Sequence, residues 1–98
     1  MSTARNAESL LVVGRVQGVG YRWWCVGAAQ RLGLDGWVRN LTDGTVEILA
    51  IGAPAAIDAL ARECRTGPTG ARVEDVERVA ADDDGSRGFV EKATARAV

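Results

Sequence analysis

The sequence predicts an α+β fold, a split β-α-β sandwich with two helices on one face of an antiparallel sheet. Three observations carry that expectation. The apolar pattern runs strand, helix, strand, strand, helix, strand, with a short edge strand at the end. Asp43-Gly44 stands between two β-rich runs, where Asp-Gly favours the positive φ of a tight hairpin. Each strand–helix–strand unit must return its strand to the same sheet by a right-handed crossover, which leaves both helices on one side. This ferredoxin-like layout hosts many activities and assigns none by itself.

The 98 residues suit one domain, expected at 8–92 between polar tails at 1–7 and 93–98. Glu8 to Gly14 (ESLLVVG) reads as a mostly buried strand, followed by a glycine-rich loop. Arg22 to Leu32 reads as a helix, with Cys25, Ala28, Ala29 and Leu32 at three- and four-residue steps and Gly33 as its stop. Gly36 to Leu41 and Thr45 to Ile51 form the hairpin strands around Thr42-Asp43-Gly44. Pro54, tolerated in a first turn, opens a second helix with the apolar stripe Ile57, Leu60, Ala61 and Cys64, ended by Gly67-Pro68. In Arg72 to Ala80 the valines at 73, 76 and 79 keep a three-residue step, a helical period. The sheet still needs a strand there, so the expectation is a strand with a bulge. Asp82 to Gly85 reads as a solvated turn and Gly88 to Lys92 as a short edge strand.

Composition narrows the chemistry. A net charge of −1 gives no general reason to expect nucleic acid or an acidic membrane as partner. No apolar run is long enough to span a bilayer, and the polar N-terminus lacks a signal-peptide core, so a cytoplasmic location is expected. Two cysteines, Cys25 and Cys64, are too few for a disulfide framework and lack metal-site spacing; small buried hydrophobes are the expectation. The chain has no histidine, which removes the usual general base and the usual zinc ligand. Catalysis here has to work mainly by positioning and electrostatics.

Residues Gly14 to Arg22 (GRVQGVGYR) point to an anion cradle. Three glycines, at 14, 18 and 20, let backbone N–H groups turn toward one point. The helix that follows adds unpaired N–H groups and the positive end of its dipole. Arg22 supplies a planar fork suited to two phosphate oxygens. A cation is poorly placed at a helix start unless an anion joins it. Asn40, read alone, fits a hairpin cap ahead of a ligand contact. Gln17 fits loop support ahead of ligand contact, and Tyr21, Trp23, Trp24 and Trp37 fit packing first, with one of the adjacent tryptophans exposed near the site.

Two longer motifs sharpen this. Val13 to Arg22 (VGRVQGVGYR) resembles the first signature of the acylphosphatase family. Gly36 to Val46 (GWVRNLTDGTV), closing at Gly52, resembles the second, without a gap and at the family's separation. The resemblance covers about residues 8 to 92, with further matches at Gly33-Leu34 and Gly67-Pro68. It implies hydrolysis of small-molecule acyl phosphates to carboxylate and phosphate, with no metal and no cofactor. It assigns phosphate binding to Arg22, water orientation to Asn40, and the phosphate loop to Gln17, Gly18, Val19, Gly20 and Tyr21 through their backbone N–H groups. Inorganic phosphate or sulfate would then bind as product-like ligands, and a free-standing monomeric enzyme is the expectation. The competing reading is a non-catalytic module on the same layout. RNA binding would need paired strand aromatics and a basic surface, and the strands offer only Trp37 and Phe89. A sensor of a phosphorylated metabolite would bind phosphate without turnover.

Overall fold

The computed structural model describes residues 5–98. The chain runs β1 (Asn6–Arg15), α1 (Tyr21–Arg31), β2 (Asp35–Asn40), β3 (Val46–Gly52), α2 (Pro54–Cys64), β4 (Arg72–Ala80) and β5 (Phe89–Glu91). The sheet order is β4-β1-β3-β2-β5. The first four strands pair antiparallel, and both helices pack on one face of them, as expected for the ferredoxin-like α+β class.

The period-two rule selects the buried face. Leu10 and Val12 of β1, Val38 of β2, Ile48 and Ala50 of β3 and Val76 of β4 point to the helices. Tyr21, Cys25 and Ala29 of α1 and Ile57, Leu60 and Cys64 of α2 meet them. Cys25 and Cys64 are buried free thiols, and a neighbouring thiol together with burial pushes the Cys25 thiol up.

The bulge lies where β4 meets β1. Val13 pairs with Asp75 and Gly14 with Val73, which leaves Glu74 as the extra residue. Gly14 is required there: a Cβ would stand 2.2 Å from the Arg72 carbonyl oxygen. The extra residue puts Val73 and Val76 on the core side and leaves Val79, beyond it, 63% exposed. A three-residue step is thus reconciled with a strand for two valines of the three.

The edge strand departs from the expected all-antiparallel sheet. β4 leaves the sheet at the end where β2 begins, since Ala80 pairs with Glu8 while Asp35 pairs with Ile51 near the β1 start. A chain crossing that end to reach the far edge must enter beside β2 in the same direction, and β5 pairs parallel to β2. Phe89, 2% exposed, anchors it.

The tails are shorter than expected. β1 begins at Asn6, and the Arg5 guanidinium pairs with Asp35 and Asp83; residues 1–4 of the expected tail lie outside the described residues. Arg5 thereby ties the 81–88 crossing to the sheet end, and the Asp35 carboxylate accepts from the Gly88 N–H at 2.7 Å. Asp84 accepts from Ser86 and from the Trp37 indole, so the aspartate run is built into the crossing and is not merely solvated. The expected tail at 93–98 also pairs. Ala95 donates to the Asn40 carbonyl at 3.0 Å and accepts from Thr42 at 3.0 Å, and Ala97 donates to the Thr42 hydroxyl.

No helix among the described residues is long and apolar enough to cross a membrane.

Candidate active site

The loop between β1 and α1 is held at both ends. Val16 is buried at its start and Tyr21 at its end. The Tyr21 hydroxyl donates to the Cys64 carbonyl at 2.7 Å, and its ring meets Trp24 edge-on at 5.2 Å. Burial drives the Tyr21 pKa upward, so the hydroxyl stays a neutral donor. The Tyr21 side chain is therefore an anchor, and only its backbone faces the loop.

Between these anchors Gly18 and Gly20 take φ of +72° and +78°, the left-handed region that side chains disfavour. Gly20 is the N-cap of α1 and has no side chain to cap the helix, and the first turn carries no acidic residue. Trp24 N–H closes the first helical bond onto the Gly20 carbonyl at 3.0 Å. Among the described residues, none accepts from the main-chain N–H groups of Gly18 to Trp23. An uncapped helix start of this kind presents donors and a positive dipole end to an anion.

The Gln17 side chain supports the loop. Its amide nitrogen donates to the carbonyls of Leu41 and Thr45, each at 2.8 Å. The side chain thus ties the loop to the end of the β2–β3 hairpin, where Asn40 sits. The hairpin is itself locked, with the Asp43 carboxylate accepting from the Thr45 N–H at 3.0 Å and its hydroxyl at 2.6 Å. The Thr45 hydroxyl holds the Asp43 carboxyl below its ordinary range.

These elements enclose a cleft of about 120 Å³ lined by Gln17, Gly18, Gly20, Tyr21, Arg22, Trp23, Asn40 and Glu91, with Val16 at its base. Arg22 and Asn40, eighteen positions apart in sequence, share it. Val19 is not among its lining residues, so its contribution is limited to the loop backbone. Neither the Arg22 guanidinium nor the Asn40 carboxamide has a hydrogen-bond partner among the described residues. Trp23 stands at the rim, 79% exposed, while Trp24 turns toward the core. A larger groove of about 450 Å³ runs along α1 past Trp23, Gly27 and Arg31. It lacks the converging N–H donors of the smaller cleft.

Glu91 is the lining residue that sequence reasoning missed. Its carboxylate stands 3.6 Å from Arg22 Nε, an ion pair beyond hydrogen-bond reach. Nothing local marks it, because its position depends on the parallel pairing of β5. Among the described residues, no three histidine, cysteine, aspartate or glutamate side chains gather as a metal site.

Comparison with known proteins bears on the family and the fold. The acylphosphatase family model matches residues 8–91. The chain is 49% identical over 88 residues to an acylphosphatase of Acidiphilium cryptum, covering 90% of this chain and 97% of that one. It is 53% identical over 83 residues to an acylphosphatase of Rhodospirillum rubrum, covering 83% and 89%. The crystal structure of acylphosphatase from Bacillus subtilis superposes with a TM-score of 0.85 at 33% identity, over 88% of this chain and 97% of that one.

Proposed function

Since the chain belongs to the acylphosphatase family and is a hydrolase of that family, we propose that it cleaves the carboxyl–phosphate bond of small acyl phosphates with Arg22 as phosphate holder and Asn40 as water holder. The observation that carries the proposal is a single cleft lined by a guanidinium with no hydrogen-bond partner, a run of unpaired backbone N–H groups and a carboxamide with no hydrogen-bond partner, among the described residues. A volume of about 120 Å³ equals roughly four waters at about 30 Å³ each. That is room for one phosphoryl group and one attacking water.

Phosphoryl transfer passes through a loose transition state with charge spread over three equatorial oxygens. Arg22 takes two of those oxygens with its fork, and the N–H groups of Gly18 to Trp23 take the remaining charge. Preorganised donors of this kind contribute about 10²–10³-fold each in rate. The departing carboxylate is a weak base and needs no proton, so no general acid is required. Asn40 accepts from the water through its amide oxygen and brings no negative charge beside the phosphate. An aspartate there would repel the substrate. Gln17 holds the phosphate loop at a fixed distance from Asn40.

The test follows benzoyl phosphate by ultraviolet absorbance with chelator present. Turnover persisting in chelator and inhibited by inorganic phosphate is expected. Asn40→Ala is expected to keep phosphate inhibition while losing at least about 10²-fold in kcat. Normal turnover in that variant removes Asn40 from the mechanism. Phosphate binding without turnover in the unaltered protein would favour a sensor.

A further inference from the structure

The cleft contains a carboxylate that the reaction does not use. Glu91 ends β5, two residues after the buried Phe89, so the strand period turns both side chains to the same face of the sheet. On that face stands the start of α1. The Lys92 N–H, bonded to the Val38 carbonyl at 2.8 Å, fixes the strand just beyond Glu91. The Glu91 carboxylate consequently faces the guanidinium that the phosphate is to occupy, 3.6 Å from Nε, with the two side chains 45% and 36% exposed.

Arg22 is the only cation and Glu91 the only anion among the lining residues. The side chains of the cleft sum to zero charge instead of +1. Nearby basic side chains do not make good the difference. Arg39 is bonded to Glu47 at 2.7 Å and lies over the Trp37 ring, and Lys92 lies over the same ring at 4.8 Å. An incoming phosphate must displace the Glu91 carboxylate from Arg22 or bind beside it.

From this juxtaposition we infer that Glu91 is an affinity-setting residue, an internal competitor for Arg22 that weakens the site for every phosphate ligand, substrate and product alike. The inference rests on the phosphate role proposed above for Arg22. A carboxylate that opposes substrate and transition state equally raises KM and leaves kcat unchanged. It also keeps released phosphate from holding the enzyme.

The experiment uses inorganic phosphate as probe, read as inhibition of benzoyl phosphate hydrolysis and separately by calorimetric titration. It compares the unaltered chain with Glu91→Gln and Glu91→Lys at low and high salt. An exposed charge pair of this kind sets the expectation that Glu91→Gln lowers Ki and KM together by about three- to fivefold at low salt. Glu91→Lys lowers them further. The gain shrinks toward nothing as the screening length falls to about 3 Å near 1 M salt. An unchanged or raised Ki in Glu91→Gln overturns the inference, as does a gain insensitive to salt. If the unaltered chain binds phosphate by titration but turns over no benzoyl phosphate, the catalytic proposal fails while the Glu91 comparison is still read from the titrations. If Arg22→Ala binds phosphate as tightly as the unaltered chain, both fail.

Discussion

The tie between the phosphate loop and the Asn40 hairpin rests on one side chain, and Gln17→Ala removes it. The amide donates two hydrogen bonds, each 2.8 Å, to part-buried carbonyls. A net contribution of about 1 kcal/mol per bond gives a loss of about 2 kcal/mol. For a chain of this length each kcal/mol moves the melting temperature by about 4–8 °C, so a fall of about 8–16 °C is expected. The kinetic effect follows from geometry. Loop and hairpin lose their fixed separation, and a misplacement of about 1 Å costs about 10²-fold. The loss falls mainly on kcat, because Gly18 and Gly20 set the loop conformation on their own side and preserve the phosphate grip. Gln17→Glu is expected to be worse on both counts: its carboxylate sets acceptors against two carbonyl oxygens and adds a negative charge to an anion cleft. Thermal unfolding by circular dichroism and initial rates on benzoyl phosphate make the measurement. A Gln17→Ala protein that melts within about 2 °C of the unaltered chain and keeps its kcat would refute the reasoning.

Arg22→Lys is expected to raise the phosphate Ki at least about tenfold, because one ammonium cannot reproduce a bidentate fork; inhibition kinetics decide it, and an unchanged Ki argues against the bidentate grip. Tyr21→Phe leaves the buried Cys64 carbonyl without its 2.7 Å donor, for an expected loss of about 1–3 kcal/mol by urea titration; equal midpoints would show that the carbonyl finds another partner. Asp83 pairs with Arg5, and that hydrogen-bonded guanidinium lowers its carboxyl to about 2. A lowered folded pKa means stabilisation that is complete above the unfolded value near 3.9 and is lost as pH falls through about 2. Asp83→Asn is therefore expected to be less stable than the unaltered chain from pH 5 upward, with the difference closing between about pH 4 and pH 2; a difference constant across that range would deny the ion pair any role.

Elements whose signals are local were legible in the sequence. The Asp43-Gly44 turn, the apolar stripe of α2 and the glycine loop before α1 each announce themselves within a few residues. The bulge in β4 was legible because the sheet needs a strand where the valines keep a helical step, and it puts two of the three, Val73 and Val76, on the core side. The candidate residues Arg22 and Asn40 were singled out for another reason: two long motifs carry them, and the fold brings both to one cleft. What stayed hidden depends on pairings remote in sequence. The direction of β5, the pairing of Ala95 with Asn40 and the ion pair of Arg5 with Asp83 join residues 53 to 78 positions apart. Glu91 belongs to that group. Loop support by the Gln17 side chain was expected, but its partners, which lie across the hairpin, were not legible.

The first strand of the chain lies in the interior of the sheet, flanked by β3 and β4. Glu8 finds its partner Ala80 only after most of the chain has been made. During synthesis the apolar run from Leu10 to Val13 has to wait, unpaired, for strands that come off the ribosome much later. Long-range pairing of this sort folds slowly, and a waiting strand with open edges is a hazard for association. The glycine loop is the direct continuation of that strand, so its placement depends on pairings with strands made later in the chain.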